Sequence, residues 1–297
     1  PYALQPSREM VFDQENEMNS EIIWSLQFSA DESLRGSGNE THLYFGSKYD
    51  ANIPGMIRVI EYGRPYSRFK PTQFMSDLYD ASIDARYGAY WRDTWYAVVE
   101  TNRLAIGDTA FHLPKKAWTK EQIDAKNYMV FNPEFSETPG AGYQRVTNRV
   151  YIQLRKFDDV RRPTMNETRG TRDWVCFRVA EAYLLAGEAF FRAGDSGNAV
   201  RYINTLRRNA AIPGKENEME IAASDLSIDF ILDERARELC GEARRWYDLK
   251  RSGKLLERTV LHNPKAGENM KPFHVLRPIP QSQIDRCTNG YPQNPQW

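Results

Sequence analysis

The stretch Glu234-Arg-Ala-Arg237-Glu238-Leu-Cys240-Gly-Glu242-Ala-Arg244-Arg245-Trp246-Tyr-Asp248-Leu249-Lys-Arg251 decides how the rest of the chain is read. Residues 234, 238, 242 and 245 step by four, four and three, so on one continuous helix they share a face. That face alternates in charge, with Arg235, Arg237, Arg244 and Arg245 set among the carboxylates. Two chemistries fit such a pattern. A glycosidase could use two of Glu234, Glu238, Glu242 and Asp248, roughly 5 to 10 Å apart, one of them with a raised pKa. Neighbouring guanidinium groups lower a carboxylate's pKa instead, which opposes a general acid. A buried charge network clamping this helix to the one that carries Arg178, Glu181 and Glu188 meets the pattern with fewer demands. The expectation is a non-enzymatic protein.

The segment before it keeps a helical period. Val179, Tyr183, Ala186, Gly187, Phe190 and Phe191 form an apolar stripe that begins at Val175, and Gly194 supplies a left-handed stop. Asp195 or Ser196 can cap a second helix that turns Ala199, Ile203 and Leu206 inward. Gly187, Phe190, Gly194, Ala199 and Ile203 match the small and large positions of one tetratricopeptide-type unit. One such unit buries its apolar faces only against neighbours, so the pair must pack on something else.

The run Arg178-Val-Ala-Glu181-Ala-Tyr183-Leu-Leu-Ala-Gly-Glu188-Ala, with Ile203-Asn204-Thr-Leu-Arg207, the 234–251 stretch, Pro278-Ile-Pro280 and Gln293-Asn-Pro295, resembles the C-terminal signature of the SusD/RagB family. Upstream, Glu21-Ile-Ile-Trp24-Ser-Leu-Gln-Phe, Lys70-Pro-Thr72 before Asp77-Leu-Tyr79, and Asp84-Ala-Arg86 resemble it as well. The motifs run in the family's order over nearly the whole chain. The resemblance implies a mainly α, SusD-like fold: a tetratricopeptide-type helix pair and further helices, with large irregular loops and a few short strands. It implies a nutrient-binding lipoprotein on the outer surface of a Bacteroidetes outer membrane. Such proteins present oligosaccharides, or in some members peptides, to a partner TonB-dependent, SusC-like transporter. Family members begin with a lipoprotein signal, an acylated cysteine and a long N-terminal section, none of which this chain holds. Its first residue is Pro1, which reads as a processed or partial chain, with any lipid anchor in residues outside it.

The 297 residues are expected to form one SusD-like C-terminal region, loop-rich with short strands over 1–170, helical with a tail over 171–297. Hydrophobic content of 41% and charged content of 27% are those of a globular protein. Forty basic and forty acidic side chains leave no general electrostatic footprint for nucleic acid. Cys176, Cys240 and Cys287 are odd in number and widely spaced, so no disulfide framework follows, and the first two read as small buried hydrophobes. His42, His112, His262 and His274 are scattered without metal-ligand spacing, and neither metal nor cofactor is expected. No Gly-x-Ser-x-Gly or Walker-type loop occurs.

Ile22, Trp24, Leu26 and Phe28 alternate with Ile23, Ser25 and Gln27, which predicts a strand with one buried face. Residues 29–70 then hold too many Gly and Pro for a long helix. A short helix is expected after Pro71-Thr72, a strand around Tyr96, a second excursion over 108–142, and a strand over Arg149 to Lys156. The first excursion is aromatic as well as irregular. Tyr44, Phe45, Tyr49, Tyr62, Tyr66 and Phe69 are interleaved with Lys48, Asp50, Asn52, Arg58, Arg64 and Arg68. A sugar has apolar C–H faces and a hydroxyl rim, so its site needs flat rings beside polar groups, and loops can place both together. The candidate site is Tyr44, Tyr49, Tyr62, Tyr66 and Trp91 as stacking rings, with Asp50, Asn52 and Arg68 taking hydroxyls. Trp95 is expected in the core. Against this stands the reading of the tyrosines as half-buried plugs that pin a long loop. Exposed rings on loops 30–95 would mark a glycan binder; exposed rings on a helical concave face would mark a tetratricopeptide-like scaffold for a protein partner.

Overall fold

The computed structural model describes residues 1–133 apart from 32, 35 and 51, the backbone of Gln144–Arg145, and residues 149–297. The Thr138-Pro-Gly-Ala-Gly142 run lies outside the described residues. The chain forms two compact units, Pro1–Glu242 and Ala243–Trp297, so the loop-rich stretch and the helix pair belong to the same unit.

The helix pair is Val179–Arg192 and Ser196–Asn209. Asp195 caps the second helix, its carboxylate accepting from the Asn198 N–H at 2.9 Å. Ala199, Ile203 and Leu206 are fully buried, as their spacing predicts. On the first helix Val179 and Gly187 of the predicted stripe are buried, together with Ala180 and Leu184, which the stripe did not include. Tyr183 and Phe190 lie at its edge, where both meet the ring of Tyr202. A Cβ on Gly187 would stand 2.7 Å from Ile203 Cγ1, so only glycine lets the two helices approach this closely.

The 234–251 stretch is not one helix. Ser227 caps Ile228–Glu238, accepting from the Phe230 N–H at 3.0 Å, and the helix ends at Leu239. Gly241 follows at φ +78° and Ala243 at φ +61°, and a new helix runs Arg245–Arg251. The turn after the helix admits only glycine at position 241. A Cβ on Gly241 would lie 2.8 Å from Phe157 Cε2 and closer still to Leu154, where the chain turns left-handed against the core. Glu242 therefore reaches the acidic face from a turn rather than from the helix, which ends at Glu238.

The first strand, Ile22–Leu26, pairs antiparallel with Trp174–Arg178, with register shifts on either side of Trp24. The predicted buried face does not form. Ile22 is buried, but Trp24 and Leu26 are 54% and 50% exposed, and Trp24 stacks on the exposed Phe177 across the ribbon at 6.1 Å. Of the predicted Arg149 to Lys156 strand only Gln153–Leu154 is paired, to Trp91–Arg92. Thr94–Tyr96 pairs antiparallel with Thr109–His112, which runs parallel to Met129–Asn132. The short helix after Thr72 is Gln73–Asp77.

The largest core is aromatic. Trp95, fully buried, stacks on Phe111 at 4.5 Å, and Tyr49, Tyr79, Tyr87, Tyr90 and Trp91 pack in the same cluster. Each ring buried this way adds roughly 1.5–3 kcal/mol over its exposed state. Cys240 is buried in that core, whereas Cys176 is half-buried, and neither is disulfide-bonded.

In the second unit, Arg251 ends its helix and Leu255–His262 follows. The two proline motifs of the tail hold each other. The Gln293 side chain accepts from the Ile279 N–H at 2.7 Å and donates to the Ile279 carbonyl at 2.8 Å, while Asn294 donates to the Arg277 carbonyl. The side-chain amide of Gln293 thus does the work of a strand partner for a segment that proline bars from a ladder.

Candidate functional site

The acidic set is buried and fully paired. Glu234 and Glu238 have no solvent exposure, and Glu242 has 5%. Arg86 bridges Glu234 at 2.7 Å and Glu238 at 3.1 Å, and is itself held by Asp84 at 2.8 Å. Arg178 binds Glu238 and Glu21 at 2.7 Å each and Glu242 at 2.9 Å. Lys156 donates to Glu242 and to the Glu238 carbonyl, both at 2.7 Å, with its ammonium 3.9 Å from the centre of the Tyr90 ring. Arg8 brings in the first residues of the chain through Glu21 at 3.3 Å and Glu238 at 3.5 Å. Arg235 pairs with Glu181 at 3.3 Å, whereas Glu188 pairs with Arg192 on its own helix.

The electrostatics follow from this packing. Burial alone would raise the Glu234 carboxyl, but Arg86, Arg207 and Arg237 outweigh it and hold the pKa at about 2. Burial opposes ionisation of Glu238 and Glu242 too, and their cationic neighbours again win, holding both below the ordinary carboxylate range. A general acid needs the opposite shift and an open cleft. Asp84 with Arg86, one of the motifs that carry the family resemblance, belongs to this network. Among the described residues no group of three or more His, Cys, Asp or Glu side chains could hold a metal ion. No described helix is long and apolar enough to cross a membrane.

The rings on the first excursion divide into two sets. Residues 66–69 fold back along the short helix Thr41–Tyr44: the Tyr66 N–H donates to the Leu43 carbonyl at 2.9 Å, and the Arg68 and Phe69 N–H groups donate to the Tyr44 carbonyl at 2.9 and 3.0 Å. This brings Tyr44, Tyr66, Arg68 and Phe69 to one surface. Tyr44 is half-buried, its hydroxyl donating to Glu40 Oε2 at 2.9 Å and its ring meeting Phe69 edge-on at 6.2 Å. Phe69 is 56% exposed and is braced from beneath by Phe45, which also leans on the core ring of Phe157. Tyr66 is half-buried, with the Arg64 guanidinium 5.4 Å from its ring centre. Arg68 is exposed; the hydrogen bond to Glu40 raises the pKa of the Tyr44 hydroxyl, and the nearby Arg68 guanidinium works against that rise.

The other predicted residues lie elsewhere or are spent. Tyr49 is fully buried, its hydroxyl donating to the Gly63 carbonyl at 2.7 Å and accepting from the Val59 N–H at 3.1 Å. It is a plug, not a platform. Trp91 is 7% exposed and packs against Tyr79 in the core, so it offers no face to a ligand. Tyr62 is half-buried and pinned at both ends, edge-on to Tyr49 at 5.4 Å, with its hydroxyl on the backbone of Tyr96 and Arg92 over its ring at 4.9 Å. Asp50 is enclosed by Lys48 at 2.9 Å and Arg58 at 2.7 Å. Burial raises its pKa, but those two cations outweigh it and hold the carboxyl below its usual range. Asn52 is exposed at φ +59°. Phe69 and Glu40 were not selected from the sequence. Their adjacency to Tyr44 comes from the chain reversal, which alternation of residue types does not encode.

By its fold, this is a mainly helical scaffold with one tetratricopeptide-type pair, an internal ion-pair clamp, and exposed rings carried on loops. The chain belongs to the SusD family, whose model matches residues 20–297. It is 27% identical over 314 residues to SusD-like protein P25 of Formosa agariphila, covering 98% of this chain and 53% of that protein. It is 33% identical over 132 residues to the starch-binding protein SusD of Bacteroides thetaiotaomicron, covering 43% of this chain and 22% of that one. Among solved structures, surface glycan-binding protein A from Bacteroides thetaiotaomicron in complex with laminarihexaose shares the fold. It superposes with a TM-score of 0.62 at 20% identity, covering 99% of this chain and 56% of that one. The chain thus spans about half the length of the proteins it matches from end to end.

Proposed function

We propose that the chain belongs to a non-enzymatic, cell-surface binding protein. It holds an extended oligosaccharide or polysaccharide and delivers it to a SusC-like TonB-dependent transporter of the outer membrane, with attachment to the membrane through a lipid anchor alone. Membership of the SusD family supports this reading, as do relatives whose names record binding of starch and glycan. The observation that carries it is the loop surface of the half-buried Tyr44 and Tyr66 and the exposed Phe69, with the exposed Arg68 beside them. Flat rings flanked by hydrogen-bonding groups suit the two-faced chemistry of a sugar. Carboxylates that are buried and held below the ordinary range by their cationic neighbours support the absence of hydrolysis.

The test is affinity electrophoresis and calorimetry against a panel of polysaccharides. Wild-type chain retards in at least one glycan gel, and Tyr66→Ala with Phe69→Ala lowers that affinity about tenfold or more, on the scale of roughly 1 kcal/mol per lost ring contact. Absence of binding to every glycan, with binding of peptides instead, would replace this reading by the peptide-binding one.

A further inference from the structure

We infer that the saccharide taken by the Tyr44, Tyr66 and Phe69 surface is anionic, carrying carboxylate or sulfate ester groups that Arg68 recognises. The inference rests on the glycan-binding reading above and narrows its ligand class.

The donor and acceptor inventory of the surface points this way. A site for neutral sugars needs acceptors for the many hydroxyl hydrogens, commonly carboxylates. Two of the three carboxylates of residues 40–70 already have partners. Glu40 accepts the Tyr44 hydroxyl at 2.9 Å, and Asp50 is enclosed between Lys48 at 2.9 Å and Arg58 at 2.7 Å. Arg68 and Arg64 keep N–H donors to spare. The Arg68 guanidinium is exposed and makes no hydrogen bond or ion pair with the described residues. Arg64 spends one nitrogen on the Asn166 carbonyl at 2.6 Å and keeps its plane by the Tyr66 ring. A guanidinium presents five N–H donors in a planar fork, a geometry that matches the paired oxygens of a carboxylate or sulfate. Charge agrees with this inventory. Residues 40–70 hold five basic side chains, Lys48, Arg58, Arg64, Arg68 and Lys70, against three acidic ones, Glu40, Asp50 and Glu61, in a chain whose formal net charge is zero. The excess positive charge is therefore local to the ring-bearing loop. A polyanion gains from it both on approach and in the complex.

Calorimetry with sodium polygalacturonate, a sulfated carrageenan and neutral laminarin decides the matter, each at about 50 and about 500 mM salt. The expected result is tighter binding of one or both polyanions than of laminarin, weakened by salt. Arg68→Ala lowers polyanion affinity about tenfold or more, and Arg68→Lys, which keeps the charge but loses the fork, falls between. Arg103→Ala, at an exposed arginine of another loop, leaves the affinity unchanged. Equal melting curves show that the Arg68 variants are folded. A preference for polygalacturonate or for carrageenan identifies carboxylate or sulfate as the recognised group. Laminarin bound as well as the polyanions, or an Arg68→Ala variant with undiminished affinity, overturns the anionic class while leaving glycan binding intact. No binding to any saccharide removes both.

Discussion

Glu234→Gln isolates what the buried charge network contributes to stability. The substitution keeps the shape of the side chain and removes its charge, leaving Arg86, Arg207 and Arg237 facing a neutral amide that solvent does not reach. The glutamate's pKa falls from its ordinary 4.5 to about 2 on folding. At ~1.4 kcal/mol per unit, that corresponds to about 3 kcal/mol of stability. Breaking one partner of a buried ion pair costs about 3–5 kcal/mol in general, so two routes agree, against about 5–15 kcal/mol for a whole domain. The sign sets the pH window. A depressed carboxyl means that the unfolded chain binds the extra proton, so this stability is complete above pH about 4.5 and is lost as pH falls towards about 2. Protonated glutamate and glutamine are then near equivalents. Urea unfolding followed by circular dichroism should show the variant about 3 kcal/mol less stable at neutral pH, with the gap closing between pH about 4.5 and about 2. A gap below about 1 kcal/mol at neutral pH, or one that persists unchanged at the acid end, would refute the network account.

Gly187→Val forces atoms into the 2.7 Å space before Ile203 and should lower stability by about 1–3 kcal/mol, read as a fall of several degrees in Tm. Gly241→Ala places a side chain at φ +78° against Phe157 and should cost at least about 1–2 kcal/mol from backbone strain alone, measured by urea unfolding. Tyr49→Ala should destabilise by about 3–5 kcal/mol, as large core truncations do. Tyr66→Ala should change stability by less than about 1 kcal/mol while losing glycan affinity. Thermal melts and binding titrations on the same two variants separate plug from platform.

Much of the helical half was legible because local rules and tertiary packing ask for the same residues there. Asp195 caps because its side chain accepts from a helix N–H, and Gly187 is small because Ile203 lies across from it. The alternating charge of 234–251 announced a clamp, and the arginines among the glutamates already spoke against acid catalysis. The turn at Gly241 was hidden, since the side chains that require glycine there, Leu154 and Phe157, come from far along the chain. The Trp24 ribbon misled for a related reason: alternation predicts a buried face only if a second layer covers it, and Trp24 and Leu26 stand exposed.

The sequence by itself determined the helix pair, the ionic clamp, the family and the loop that bears the rings, because spacing and residue type act over a few positions. Which rings reach solvent was decided only by the tertiary structure. Tyr49 and Tyr66 are equally aromatic and lie on the same excursion, but one fills the core while the other lies on the surface beside Tyr44. The difference comes from a backbone reversal that hydrogen-bonds residues 66–69 to residues 43 and 44, a contact between distant positions that no local pattern records.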